Sequence, residues 1–450
     1  MIVPTSRLLF WVAVIVLPFA LMAALLPVTL PAALLFVGAL VLAAVADAVL
    51  ARRSLAGIGV ELPPIARMSK DREAKLEIRI RNPHQTAKKL RLGLAWPREI
   101  KVTEEEMETV LPANSEWSRL VWSCRPQKRG KYFLSAAFVE SPSPLGFWAA
   151  RKKVPAHSEL RVYPNLLGER KNLAALFLNR GAFGLHAQRQ IGKGRDFEKL
   201  REYVPGDGYD EVHWKATARR GKPITKVFQI EKTQEVYVIV DASRLSARDA
   251  AGSQPADNTR AGVSVLERFV TAALVLGLAA EQQGDFFGLL TFTNKVEKFV
   301  RAKNGQAHYN ACRDALYTLE PKTVTPDFDE LATFLRLRLR RRALLIFLTS
   351  LDDPVLAESF VRNMELLRRQ HLVLVNMVQP PGIAPLFSNA GTRTVDDLYR
   401  ELGGHLQWQK LRELQKVLQR FGVQFTLLTN ERLSADLISQ YLTVKQRQLL

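Results

Sequence analysis

The chain has 450 residues, a length for two or three domains, and its 47% of hydrophobic residues is enough for packed cores. Its two cysteines, Cys124 and Cys312, are too few for a secreted disulfide framework and fit a reducing compartment. A formal net charge of +20 leaves three uses open: a phosphate footprint for nucleic acid, attraction to anionic lipid headgroups, or a solubilising surface.

From Leu8 to Leu50 the only charged residue is Asp47. A spanning helix needs about 20 apolar residues, and this stretch is about twice that length. Pro27 and Pro31 break it, which predicts two helices, Leu8–Leu26 and Leu30–Val49, joined by a tight turn. Arg7 precedes the first span, and Arg52 and Arg53 follow the second. The positive-inside rule then places both flanks, and the rest of the chain, in the cytoplasm. A cleaved signal peptide is the competing reading, with Ala20 and Ala23–Ala24 imitating a cleavage site. The second apolar run argues against it, because the mature protein would begin with a buried span.

Residues 54–165 read as short strands. Lys75–Arg81 and Leu90–Trp96 alternate polar and apolar with period two, as half-buried strands do, and Asn82-Pro83 and Pro97 stop them. Trp117–Cys124 and Tyr132–Val139 continue the pattern on either side of the basic turn Lys128–Lys131, so a small β-sandwich is expected. Residues 166–234 are basic and mixed, and serve as a connecting segment. From residue 235 the grammar changes. Val236–Val240, Phe286–Phe292, Ala343–Leu348, Leu372–Val378 and Val423–Leu428 are continuous apolar runs suited to strands buried on both faces. Helical stretches separate them, near 262–283, 307–319, 327–341, 355–369 and 411–421, and a last helix closes the chain. Strands alternating with helices predict a doubly wound, mostly parallel sheet over 235–450.

In such a sheet ligands sit beyond the carboxyl ends of the strands. The first strand ends in Asp241-Ala242-Ser243, whose oxygens could serve a hard cation such as Mg²⁺ or simply cap and fix a turn. Asp241-Ala242-Ser243 resembles the start of the metal-ion-dependent adhesion site of von Willebrand factor A domains, which reads Asp-x-Ser-x-Ser with a later Thr and Asp. Thr325 stands for the Thr, whereas Leu245 replaces the second Ser, and the later Asp falls on Ser350, with Asp352 and Asp353 displaced. The resemblance therefore implies a degenerate site at Asp241, Ser243 and Thr325, with no cofactor or only weakly held Mg²⁺.

A longer resemblance covers nearly the whole chain in order. Leu200-Arg201-Glu202-Tyr203-Val204-Pro205-Gly206-Asp207, followed by His213-Trp214-Lys215-Ala216-Thr217-Ala218-Arg219-Arg220-Gly221, is similar to the signature of the family called domain of unknown function fifty-eight. Lys128–Tyr132 with Ser143–Phe147, and Gly284–Leu290, agree with it. The resemblance implies a membrane-anchored α+β multidomain chain: a transmembrane hairpin over 1–53, an immunoglobulin-like β-sandwich over 54–165, and a von Willebrand factor A-like α/β domain over 235–450. It also implies a non-enzymatic partner of a MoxR-type AAA+ ATPase at the bacterial inner membrane. Arg201, Tyr203, Asp207, Trp214, Lys215, Arg219 and Arg220 are the candidate partner-binding residues: Asp207 offers a carboxylate in a tight turn, and Trp214, Lys215, Arg219 and Arg220 combine one aromatic with three cations, as protein-binding hot spots do. The alternative is an arm packed over the sheet, with Trp214 in the core.

Other patterns are weak. Gly221-Lys222 is followed by Pro223 and makes no Walker A loop. His308 and Cys312 share a helical face, but they lack the further ligands that a zinc site needs; a Cys/His nucleophilic pair is the remaining chemical reading, against the favoured one of a buried thiol and a surface imidazole. In Arg336–Arg342 the Leu residues are expected to face the sheet with Arg stems over its edge, rather than a nucleic-acid patch. The rival functions are a Mg²⁺-dependent adhesion module, a metal-dependent hydrolase using Asp241 with Asp352 or Asp353, and nucleic-acid binding.

Overall fold

The computed structural model describes residues 1–169, 191–205, 207–229, 234–250, 263–386, 388 and 394–447. The chain forms two compact units, Met1–Asn165 and Leu166–Leu450, so residues 166–234 belong to the second.

The first unit opens with a strand that the sequence reading missed. Strand β1 (Ile2–Pro4) leads into helix α1 (Ser6–Leu25), a 3-10 turn at Pro27–Thr29, and helix α2 (Leu30–Ser54). Both helices are long and apolar enough to cross a membrane, and little of either is buried. Side chains such as Leu9, Phe10, Leu17, Leu35 and Leu42 stand exposed on them, as on a lipid-facing surface. Near the turn the helices close on each other through stacked Phe19 and Phe36, with ring centroids 4.8 Å apart.

Ten strands in all make up the β part of this unit among its described residues. After β2 (Gly59–Glu61), β3 (Ile65–Ser69) and β4 (Ala74–Arg81) come β5 (Lys88–Leu94), β6 (Ile100–Val102) and β7 (Glu106–Leu111). Then follow β8 (Trp117–Pro126), β9 (Gly130–Pro142) and β10 (Trp148–Tyr163). One sheet has the order β1-β10-β9-β5-β7, with β3 added to β10; the other has the order β2-β4-β8-β6. Alternation puts Leu76, Ile78 and Ile80 of β4 and Trp122 of β8 into one core with Leu90 and Leu92 of β5 and Leu134 of β9. The two sheets therefore share a single hydrophobic core.

Strand β1 pairs antiparallel with β10, Ile2 opposite Ala150 and Pro4 opposite Trp148, while α2 runs on into β2. Both ends of the helical hairpin thus join one β unit, and both must lie on one side of any membrane it crosses. Asp47 anchors α2 there. It is fully buried and accepts hydrogen bonds from Ser143 Oγ (2.5 Å) and from the backbone N–H groups of Leu145 and Phe147 (3.1 Å each). Trp148 Nε1 donates to the Ala44 carbonyl at 2.8 Å, and Thr5 Oγ1 donates to the Gly146 carbonyl at 2.6 Å. The turn Ser143–Phe147 thereby holds both helices.

The second unit begins with an antiparallel hairpin, β11 (Ile191–Glu202) and β12 (Ile224–Gln229), whose connection carries helix α3 (Trp214–Arg220). The main sheet follows. It is built from β13 (Glu235–Asp241), β14 (Phe286–Phe292), β15 (Val296–Lys303), β16 (Leu344–Leu348), β17 (Leu372–Val378) and β18 (Gln424–Leu428). Its order is β15-β14-β13-β16-β17-β18, parallel throughout except for β15, which returns antiparallel along the β14 edge. Helices α4 (Val265–Gln282), α5 (Gln306–Leu316) and α9 (Leu433–Gln446) pack into the core on one face. Helices α6 (Phe328–Arg338), α7 (Pro354–Leu367) and α8 (Val395–Arg420) pack into the core on the other. Burial on both faces explains the unbroken apolar runs of the central strands. In the Arg-rich run Leu339 is buried but Leu337 is exposed, correcting the expectation that both its leucines face the sheet.

Candidate functional site

The order of the main sheet reverses between β13 and β16, so its ligand-binding crevice is expected beyond the carboxyl ends of those two strands. Asp241 ends β13 and Thr349 follows β16. Asp241 is 0% exposed: Thr349 Oγ1 donates to its Oδ2 at 2.6 Å and the Ser243 backbone N–H to its Oδ1 at 2.8 Å. Burial pushes the Asp241 carboxyl above the ordinary range, and the Thr349 hydroxyl and Ser243 donors oppose that shift. Ser243 is buried beside it, and Leu245 is buried in turn.

The loop carrying Thr325 is tied to this strand end through backbone bonds from Lys322 N to the Ala242 carbonyl (2.8 Å) and from Arg244 N to the Val324 carbonyl (3.0 Å). Thr325 itself is exposed and makes no hydrogen bond to Asp241 or Ser243. Thr349 supplies the hydroxyl that the motif assigned to Thr325; only the neighbouring strand brings it close. Asp352 pairs with Arg248, and Asp353 lies 3.8 Å from Arg244. The carboxylate keeps lone pairs beyond these two bonds, and Ser243 Oγ is buried without a hydrogen-bond partner among the described residues, but a hard cation here would compete with two guanidinium groups for the remaining acids. Thr325, Asp352 and Asp353 are thus not gathered with Asp241 and Ser243 into one ligand set.

A second surface lies on the β11–β12 hairpin. Arg201 Nη2 pairs with Asp207 Oδ1 at 2.6 Å, and the Val204 N–H donates to Asp207 Oδ2 at 3.1 Å. The Val204 N–H and the Arg201 charge hold the Asp207 carboxyl below its usual range. Tyr203 is half-buried, and its N–H donates to the Pro223 carbonyl at 2.9 Å. These three residues shape the turn. Helix α3 starts where His213 Nδ1 accepts from the Ala216 N–H (3.0 Å), and it stops at Gly221, whose φ of 66° suits a residue without Cβ.

The helix presents Trp214, which is 68% exposed, with exposed Lys215, Arg219 and Arg220. Trp214 is therefore outside the core, contrary to the alternative placement. Tyr209, 79% exposed just before the helix, joins the surface, though the sequence reading did not single it out. A second aromatic five residues before the signature Trp was the available signal.

The Cys312–His308 pair is poorly placed for nucleophilic chemistry. His308 Nε2 lies 2.7 Å from the Phe287 carbonyl, so that nitrogen carries the proton and donates, and Cys312 Sγ is 3.6 Å from it. Burial pushes the Cys312 thiol up to about 12, far from the thiolate that such chemistry requires.

Three comparisons bear on identity. Among solved structures, the chain is similar to a PilB minor pilin from Streptococcus sanguinis at 10% identity and TM-score 0.31, covering 81% of this chain and 89% of that one. It is also similar to an aerotolerance-related membrane protein from Bacteroides fragilis NCTC 9343 carrying multiple mutations to serines, at 14% identity and TM-score 0.29, over 46% of this chain and 97% of that one. An uncharacterized membrane spanning protein from Vibrio fischeri matches at 16% identity and TM-score 0.18, over 48% and 98%. These scores are too low to carry fold or function across. No curated protein matches. Residues 199–398, which include the α3 surface and the strand-end site, match the family described as Protein of unknown function DUF58.

Proposed function

We propose that the chain is a two-pass protein of the bacterial inner membrane that acts as a non-enzymatic adaptor. Its soluble units lie in the cytoplasm and it presents the α3 surface to a MoxR-type AAA+ ATPase during assembly or activation of protein complexes. The observation that carries this reading is Trp214, 68% exposed in the DUF58 region and flanked by exposed Lys215, Arg219 and Arg220. A large apolar ring costs free energy in water, and Trp with Arg is the composition of binding hot spots. The burial of Asp241, with each carboxylate oxygen already held by a hydrogen bond, supports an adaptor over a hydrolase.

The partnership is the one the family resemblance implies. Two sheets about one core over 54–165 support an immunoglobulin-like reading, and the strand order of the main sheet supports a von Willebrand factor A-like one. The test is crosslinking in native membranes followed by capture of the ATPase. Capture should fall at least tenfold in a Trp214→Ala, Arg219→Ala, Arg220→Ala variant that melts like the parent. Undiminished capture refutes the role of this surface.

A further inference from the structure

The helical hairpin is closed at its turn by Phe19 and Phe36 but open at the end next to the β unit. There the helices part around a groove of about 410 Å³. Its walls are apolar: Val12 and Val16 from α1 face Leu40, Ala44 and Ala48 from α2. Two observations make this more than loose packing. Residues Val12–Val16 form a π-helical turn inside α1, a geometry that recurs at functional sites, and both ends of that turn line the groove. Small residues such as Ala44 and Ala48 normally let membrane helices touch, yet here they face open space.

The rim is polar and basic. Arg52 lines the mouth, and so does Trp148, whose indole is fixed by its bond to the Ala44 carbonyl. Arg52 is exposed and forms no ion pair among the described residues. Asp47 does not line the groove, and its carboxylate is covered by its three donors. From Arg52 down to Leu40 is 12 helical residues, about 18 Å, close to half of a hydrocarbon core about 30 Å thick. The groove therefore has the depth of one leaflet, an apolar wall below, and a guanidinium at headgroup level.

We propose that this groove holds one anionic phospholipid, an acyl chain lying between α1 and α2 and the headgroup phosphate paired with Arg52. The inference rests on the hairpin lying in a bilayer. Guanidinium pairs well with phosphate, and a chain retained between the helices would join the hairpin to the β unit through Trp148.

The test uses the full chain purified in mild detergent and examined by native mass spectrometry. It is supplied with equal amounts of phosphatidylglycerol and phosphatidylcholine carrying identical chains. One bound lipid is expected, with phosphatidylglycerol favoured about fivefold, the factor one basic side chain near the surface supplies. Arg52→Gln should abolish the preference, while Arg53→Gln, outside the groove, should keep it. Ala44→Leu with Ala48→Leu should remove the bound lipid. Equal retention of both lipids, equal loss in the Arg53→Gln variant, or displacement by millimolar glycerol phosphate would overturn the proposal, the last because it marks a free-anion site. Recovery of the chain in the aqueous fraction without detergent would instead defeat the bilayer reading itself.

Discussion

Replacing Asp47 with Leu removes the acceptor of three hydrogen bonds, from Ser143 Oγ and the backbone N–H groups of Leu145 and Phe147. The Ser143 hydroxyl can turn to another acceptor, but the two N–H groups cannot. Each backbone donor stranded away from water costs about 1–3 kcal/mol. Both sit in a part-buried turn where some water can enter, so the lower half of that range applies and the two together come to about 3 kcal/mol. Leu fills the space of Asp and adds no cavity, so the loss should appear as local opening of the Ser143–Phe147 turn rather than as global unfolding. At about 1.4 kcal/mol per factor of ten, amide exchange at Leu145 and Phe147 should speed up on the order of a hundredfold. Hydrogen–deuterium exchange on the full chain in detergent reads this directly. Exchange within threefold of the parent at both amides would refute the view that Asp47 fastens the hairpin to the β unit. Ser143→Ala loses one donor to Asp47 and strands the Trp148 N–H, which donates to Ser143 Oγ at 3.1 Å, so it should cost about 2 kcal/mol.

Further outcomes follow from the second unit. Asp285 is buried and accepts from Tyr441 Oη, from Lys445 Nζ at 2.8 Å and from the Gln234 N–H at 3.2 Å. Asp285→Ala should cost about 3 kcal/mol in denaturant unfolding, the low end for a broken buried pair because Lys445 is partly solvated; a loss under about 1 kcal/mol would contradict this. His371 is buried, both its ring nitrogens lack a partner among the described residues, and burial holds its imidazole below the ordinary value. Its unfolded form binds the proton more readily, so the stability it supports is present above about pH 6.5 and drains away as pH falls through the lower folded value. Thermal unfolding between pH 7 and pH 5 should therefore be less pH-dependent in His371→Leu, and equal slopes would refute the assignment. Titration with Mg²⁺ in a calorimeter should give no saturable heat; a micromolar fit would overturn the description of the Asp241 end of the sheet.

Local pattern made much of this fold legible, and the unread parts have identifiable causes. Period-two alternation marked Lys75–Arg81, and β4 does bury Leu76, Ile78 and Ile80 while exposing Arg79 and Arg81. Continuous apolar runs marked the strands of the main sheet because their burial on both faces leaves no polar face to write into the sequence. Strand β1 has only three residues, and its partner lies near position 150, so nothing local announced it. Strand β15 is a half-buried edge whose Val, Phe and Lys residues mix without a clean period. Helix α8 begins at Val395 instead of near Leu411, since its first half exposes Leu398, Tyr399, Leu402 and Leu406 and shows no core-facing stripe.

Legibility at the sites divides the same way. Asp241 and Ser243 are neighbours in sequence and stay together, but Thr349, 108 residues on, could not be chosen over Thr325 without the strand order. Asp47 stood out as the only charge in an apolar stretch, while its partners, some 96 to 100 residues away, were invisible. The exposure of Trp214 likewise depends on the β11–β12 hairpin, which residue pattern alone did not reveal.

The central claim is that the hairpin returns the chain to its starting side and leaves the soluble units in the cytoplasm. Both native cysteines are buried, so single introduced cysteines can report on it. Ser6→Cys, Leu26→Cys and Lys101→Cys variants should be treated with a membrane-impermeant maleimide on intact inner membranes. Label at Leu26→Cys alone, with Ser6→Cys and Lys101→Cys reacting only after the membrane is opened, is the predicted result. Label reaching Lys101→Cys from outside, or a difference in access between Ser6→Cys and Lys101→Cys, would contradict the account.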